Sequence, residues 1–201
     1  MAGTIKIEIF KKKDAEEFTQ CLADPESRLD AGGGAAMCAA LAASLLSRAA
    51  ALTAAGREED EQLSYILRNG ETLRKYMVHL IDEDVRCRGP LRKAIQEGDP
   101  QRIDAAGQSA VSVCEEIVNM SGKCLDMLLE LAECCAEPAA HYAAESAELA
   151  MAAMRASMQY ILNLSSGSMD ETYRFVTRRE NEITLQQAQT LYESILGKLG
   201  R

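Results

Sequence analysis

No tryptophan occurs in the 201-residue chain, and aromatic side chains make up only 4% of it. A core of the size such a chain can bury must then be made of Leu, Ile, Met and Ala, and Ala-rich helices pack closely, with narrow clefts between them. Only two histidines are present, so a zinc site has little to work with and no metal is expected. Basic residues are outnumbered, giving a net charge of −9, and the broad positive surface of a nucleic-acid protein is excluded. The one dense basic run, Lys11 to Lys13, reads as a solvated loop. No apolar segment suits a signal peptide, because the first ten residues lack a core of the right length. The longest weakly polar stretch, residues 32–55, is broken by Ser44, Ser47 and Arg48, a poor membrane span and a good buried helix. Seven cysteines are present, an odd number with no Cys-x-x-Cys, and they read as small buried hydrophobes in a reducing compartment. A soluble cytoplasmic protein is expected.

What is present is helical periodicity. Residues 4–10 alternate, with Ile5, Ile7 and Ile9 on one side, which predicts a short strand within an N-terminal arm over residues 1–13. The remainder, residues 14–201, reads as one helical domain. Asp14 and Glu17 start a short helix that Asp24-Pro25 ends. Gly32-Gly33-Gly34 leads into an Ala-rich helix stopped by Gly56. A third helix is predicted over residues 58–87, with Leu63, Ile66, Leu67, Leu73, Met77, Leu80 and Ile81 in phase across Gly70. Gly89-Pro90 is expected to end it before a short helix to Glu97. Asp99-Pro100 caps a fourth helix running to about Cys135, and Glu137-Pro138 starts a fifth reaching Leu164. Ser168-x-x-Glu171 reads as a capping box, followed by two shorter helices parted near residues 180–184. The fold class is therefore all-α, an up-and-down bundle of long antiparallel helices with room for one N-terminal strand.

Few residues break the pattern in a way that suggests chemistry. Asp84 follows Met77 by seven, Leu80 by four and Ile81 by three, so it continues the apolar stripe. A carboxylate there is costly unless paired or functional, and so close to a helix C-terminus it opposes the dipole. The plain alternative is a helix end where the chain can reach water. Asp82 and Glu83 fall on other faces and read as solvated. Gln159 and Asn163 share a face with Ala152 and Ala156, a notch whose amides could read the edge of a heterocycle or simply bond neighbouring backbone. The Gly32–Gly34 run precedes a helix N-terminus, where free N–H groups suit an anion, or it is a flexible linker without Walker or dinucleotide spacing. Glu137, His141 and Glu145 make a surface ladder, not the Glu-x-x-His of di-iron bundles.

The order of these features resembles the cyclodeaminase/cyclohydrolase family, which includes the cyclodeaminase half of formiminotransferase-cyclodeaminase and single-domain methenyltetrahydrofolate cyclohydrolases. Ala31-Gly32-Gly33-Gly34 is similar to the family's Pro-Gly-Gly-Gly before an Ala-rich helix. Leu80-Ile81-Asp82-Glu83-Asp84-Val85 resembles its Leu-[Ile/Val]-Asp-x-Asp-Ala stretch. Ala156-Ser157-Met158-Gln159-Tyr160-Ile161-Leu162-Asn163 and Ser168-Met169-Asp170-x-x-Tyr173 resemble the closing motifs. Three places depart. Gly56-Arg57-Glu58-Glu59-Asp60 stands where the family is Lys-rich, Gln159 replaces an Asn, and the nearest counterpart of a family Asp on the fifth helix is Glu145.

The resemblance implies a homodimer acting on the one-carbon unit at N5 and N10 of tetrahydrofolate, a small-molecule substrate, with no metal or redox cofactor. It implies Asp84 as acid/base, with Asp82, Gln159, Asn163 and the Gly32–Gly34 turn contacting substrate. The second function that fits is a non-catalytic helical dimer or interaction module that kept the fold and lost folate chemistry, which the missing lysines favour. Cyclohydrolase and cyclodeaminase are not separated by sequence.

Overall fold

The computed structural model describes residues 9–57, 60–168 and 170–200. Six α-helices account for nearly all of them: α1 (Ala15–Ala23), α2 (Ala31–Ala54), α3 (Glu61–Glu97), α4 (Pro100–Ala132), α5 (Ala140–Ser166) and α6 (Glu171–Lys198). No strand occurs among the described residues, and the predicted strand lies almost wholly outside them. Of the arm, Phe10–Lys12 forms a 3₁₀ turn that lies on α3, with Phe10 buried.

Helices α2 to α5 form an antiparallel bundle in which each packs on its sequence neighbours, α2 also closes against α5, and α6 lies across α5 and α4. Acidic caps set the starts. Asp14 accepts from the Glu17 amide, Asp60 from Leu63, and Asp99 from Gln101 and Arg102, each satisfying donors that the first helical turn leaves free. The core is aliphatic as composition requires, and of the predicted α3 stripe Leu63, Ile66, Leu73, Met77, Leu80 and Ile81 are buried while Leu67 is only partly so. Gly70 sits where α3 crosses α2: a Cβ there would come within 2.6 Å of Ser47 Oγ. Its helix-propensity cost is offset by this close approach. Helix α2 is long and apolar enough to cross a membrane by length and composition, but its Ala-rich sides are buried between α3 and α5 as a core helix.

Three local expectations are corrected. Helix α3 runs through Gly89-Pro90 to Gly98, which caps it at φ 69°. Leu91 and Ala94 are buried beyond the proline, and that packing outweighs the one backbone bond it removes. Helix α6 is unbroken. Residues 178–182 carry no apolar period, but they contain no breaker, and Arg178 and Arg179 both pair with Glu182 along the helix. Its N-cap is Asp170, which accepts from Thr172 and Tyr173, while Ser168 accepts from the Asp170 amide.

Candidate functional site

Asp84 is fully buried, as its phase on α3 requires. It lies directly under the first turn of α2. The Gly33 amide donates to Asp84 Oδ2 at 3.2 Å, and a Cβ on Gly32 would fall 2.2 Å from Oδ1. The glycine run is thus neither a linker nor an open anion site. It is the opening turn of a helix whose free donors face a carboxylate from another helix, with no side chains to keep the two apart.

Around this contact the chain gathers charge. Asp30, the N-cap of α2, bonds the Ala31 amide at 2.7 Å and forms an ion pair with Arg88. Arg92, one turn further along α3, lies 3.9 Å from Asp30 and donates to the Arg28 carbonyl. The Arg88 guanidinium stacks on the Tyr160 ring at 4.8 Å. Burial pushes the Asp84 carboxyl up to about 6, reinforced by the Asp30 charge and opposed by Arg88, Arg92 and the Gly33 amide. Asp30 goes the other way. Burial pushes it up, but the Ala31 amide and the two arginines together hold it below the ordinary carboxylate range. Two linked carboxylates are therefore driven apart, one kept ionised and one poised near neutrality, the arrangement from which acid/base chemistry is built. Asp84 Oδ1, Arg88 Nε and Tyr160 Oη are buried with no hydrogen-bond partner among the described residues, a concentration of unsatisfied groups rare in a merely structural core.

On the outer side of the same turn is an open cleft of about 900 Å³. Its walls include Asp24, Glu26 and Asp30, with Arg92, Gly34 and, from α5, Ala152 and Ala156. The predicted small-residue notch is thus a wall of this cleft. Asp84 is not a lining residue, since the backbone of the glycine turn stands between it and the cleft.

The remaining sequence candidates fall elsewhere. Asp82 is not a solvated side chain. It accepts from the Phe10 and Lys11 amides at 2.8 and 3.3 Å, and Lys11, expected in a solvated loop, is paired with it at 3.6 Å. Gln159 and Asn163 are exposed on α5, whereas Tyr160 between them turns towards Arg88. His141 and Glu145 are exposed. Sequence reading missed Asp30, Arg88, Arg92 and Tyr160. The signal available was the four-residue spacing Asp84, Arg88, Arg92, hidden by the expectation that Gly89-Pro90 ended the helix. Among the described residues no group of three or more His, Cys, Asp or Glu is placed to hold a metal, and all seven cysteines are free thiols.

The family model described as formiminotransferase-cyclodeaminase matches residues 14–183. The fold is similar to the crystal structure of a formiminotetrahydrofolate cyclodeaminase from Thermotoga maritima, with a TM-score of 0.86 and 20% identity over 94% of this chain and 97% of that one. No curated protein matches the chain significantly.

Proposed function

Since the chain belongs to the formiminotransferase-cyclodeaminase family, we propose that it transforms the one-carbon unit of a tetrahydrofolate derivative, as a methenyltetrahydrofolate cyclohydrolase or a formiminotetrahydrofolate cyclodeaminase. The observation that carries this reading is Asp84, a buried carboxylate raised to about 6 directly behind the wall of a cleft. The cleft volume, about 900 Å³, is within the range of small-molecule sites. Its acidic lining suits a substrate whose reacting carbon is cationic, as the N5,N10-methenyl bridge is.

In the cyclohydrolase version, water adds to the methenyl carbon, the bond from that carbon to N5 breaks, and one proton is released overall. In the cyclodeaminase version, N10 attacks the formimino carbon and ammonia departs with a proton from an acid. Either needs a group that both accepts and returns a proton near neutrality, and Asp84 is the carboxyl tuned for it. Asp30, held ionised at the cleft wall, faces the cation, and Arg92 offers donors to a carbonyl or carboxylate. Between Asp84 and the cleft stand the backbone of the Gly32–Gly33 turn and the Leu29 side chain packed on Gly33, and both must move for proton exchange with a bound substrate. Gln159 and Asn163 remain proposed contacts for the far end of the ligand, whereas Asp82, bonded to the Phe10 and Lys11 amides, holds the arm rather than the substrate.

The complete burial of Asp84 favours the second reading, a helical module in which the carboxylate only pins α2 to α3. Titration with tetrahydrofolate and with 5,10-methenyltetrahydrofolate separates the two. Saturable binding and accelerated decay of the methenyl absorbance are expected. With Asp84→Asn the decay should slow by ~10²–10⁴ with the fold intact by circular dichroism. Absence of binding by either ligand would leave the module reading in place.

A further inference from the structure

Where α4, the end of α5 and the start of α6 meet, the chain closes a polar cavity of about 30 Å³, room for one occupant the size of a water molecule. Asp104 and Gln108 line it from α4, Ser165 and Ser168 from the end of α5, and Tyr173 from α6. Asp104 Oδ1 is shielded from solvent with no hydrogen-bond partner among the described residues. The neighbouring arginines are engaged elsewhere. Arg102 pairs with Glu97 and Asp99, and Arg174 with Glu171 and the Ser168 carbonyl.

Acceptors dominate this spot. An ionised carboxylate only accepts. The Leu164 carbonyl is among the last four of α5, which a helix leaves without amide partners. Two glycines leave space beside it, since Cβ atoms on Gly107 and Gly167 would stand 3.8 and 4.0 Å away. The Ser165 hydroxyl already donates to the Leu162 carbonyl, so lone pairs are what it has left to offer. The negative end of the α5 dipole lies here as well. Burial pushes the Tyr173 phenol up, against a hydrogen bond from Thr177 and with the Glu115 and Asp104 charges adding to the rise.

We propose that this cavity is a site for a monovalent cation stripped of its water, of the size of potassium, held between Asp104 Oδ1 and the Leu164 carbonyl. Backbone carbonyls replace the hydration shell of potassium well, and the hydroxyls of Ser165 and Ser168 complete the oxygen set. One carboxylate and the partial charge of one helix end neutralise a single positive charge, whereas a divalent ion is usually bound by several carboxylates. A water molecule in the same place would satisfy hydrogen bonds but leave the buried charge of Asp104 unopposed. The ion staples the head of α6 to α4 and α5. It also braces Leu91, which lines the cavity from the turn of α3 between Arg88 and Arg92. None of this depends on folate chemistry.

Urea unfolding of the full chain at constant ionic strength, in chloride salts of potassium, lithium or tetramethylammonium, tests the site. Above the dissociation constant, the unfolding equilibrium constant should fall about tenfold for each tenfold rise in potassium, and should ignore the other two cations. Asp104→Asn should abolish that response by removing the charge. Gly107→Ala should abolish it by filling the cavity, with the fold intact because 3.8 Å from the Leu164 oxygen is an ordinary contact. Asp126→Asn, on an exposed stretch of α4, should keep it. Thallium, which substitutes for potassium, should give an anomalous scattering peak between Asp104 and Leu164. Equal responses to all three salts, or a potassium response that survives in Asp104→Asn or in Gly107→Ala, overturns the site. So does a thallium-soaked crystal with water in the cavity.

Discussion

The amide of Gly33 and the carboxylate of Asp84 are joined across 3.2 Å with no solvent at either, because α2 begins with residues that have no side chains. The pairing is specific to glycine at the neighbouring position as well. Gly32→Ala would drive a methyl group to 2.2 Å from Asp84 Oδ1, so helix or carboxylate must shift. The expected cost is ~1–3 kcal/mol in urea unfolding, as for other overpacked cores. Gly122→Ala is the control. It lies within α4 with nothing inside 4 Å of its Cβ position and should gain ~0.5–1 kcal/mol. Equal effects at the two glycines would remove the close-approach argument.

Stability should carry the signature of a buried acid. Asp84 takes its proton near 3.8 when unfolded and at about 6 when folded. Between these values the native state binds more protons than the unfolded state, so unfolding free energy falls as pH rises and levels off above about 6. The amplitude is on the order of 2–3 kcal/mol. Asp30, held below its ordinary range, acts with the opposite sign and loses its contribution as pH falls. Subtracting the curve of Asp84→Asn isolates the effect, since Asn stays neutral and can still accept from Gly33. The variant should match the parent near pH 4 and exceed it at pH 7. A difference that is flat with pH would show that Asp84 ionises freely in the fold.

Much of this site was written in local pattern, and the part that was not depends on contacts distant in sequence. The burial of Asp84 followed from its phase with Met77, Leu80 and Ile81, and the caps at Asp14 and Asp99 followed from residue type alone. The continuation of α3 through Pro90 did not, because what holds it is Leu91 and Ala94 in the core and Arg88 and Arg92 against Asp30, contacts that span more than fifty residues. The same error hid both arginines. The role of Gly32 was similarly out of reach, since a glycine before a helix looks alike whether it faces solvent or a carboxylate.

Asp82 shows the cost of reading one face at a time. Its position off the apolar stripe was correctly seen, but the arm folds back to meet it. Asp82→Asn should weaken two amide hydrogen bonds and an ion pair with Lys11, destabilising the chain by ~1–2 kcal/mol and exposing residues 9–13 to trypsin at Lys11 to Lys13. Ligand binding and turnover should change little. Trypsin resistance equal to the parent's would mean that Phe10 alone anchors the arm.

Arg88 is where the two carboxylates are set against each other, and its removal should move them in a calculable direction. Its charge favours the ionised form of Asp84, so Arg88→Gln should raise the Asp84 pKa beyond its present value of about 6. Burial, the dominant cause, remains. Asp30 loses its strongest ionic partner and should rise towards the ordinary range. If Asp84 must be ionised to take a proton, the acidic limb of the pH–rate profile should shift to higher pH in Arg88→Gln. Arg88→Lys, which keeps the charge but not the planar stack on Tyr160, should fall between variant and parent. Arg92→Gln should shift it less, because Arg92 contributes less to Asp84 and is half-exposed to solvent screening. The window over which stability falls with pH should widen upward by the same amount, since the folded pKa has risen while the unfolded one has not. That second measurement needs no substrate. A shift in the rate profile without one in the stability curve would place the kinetic pKa on a group other than Asp84, and the absence of both would show that Arg88 serves only to hold Asp30 at the head of α2.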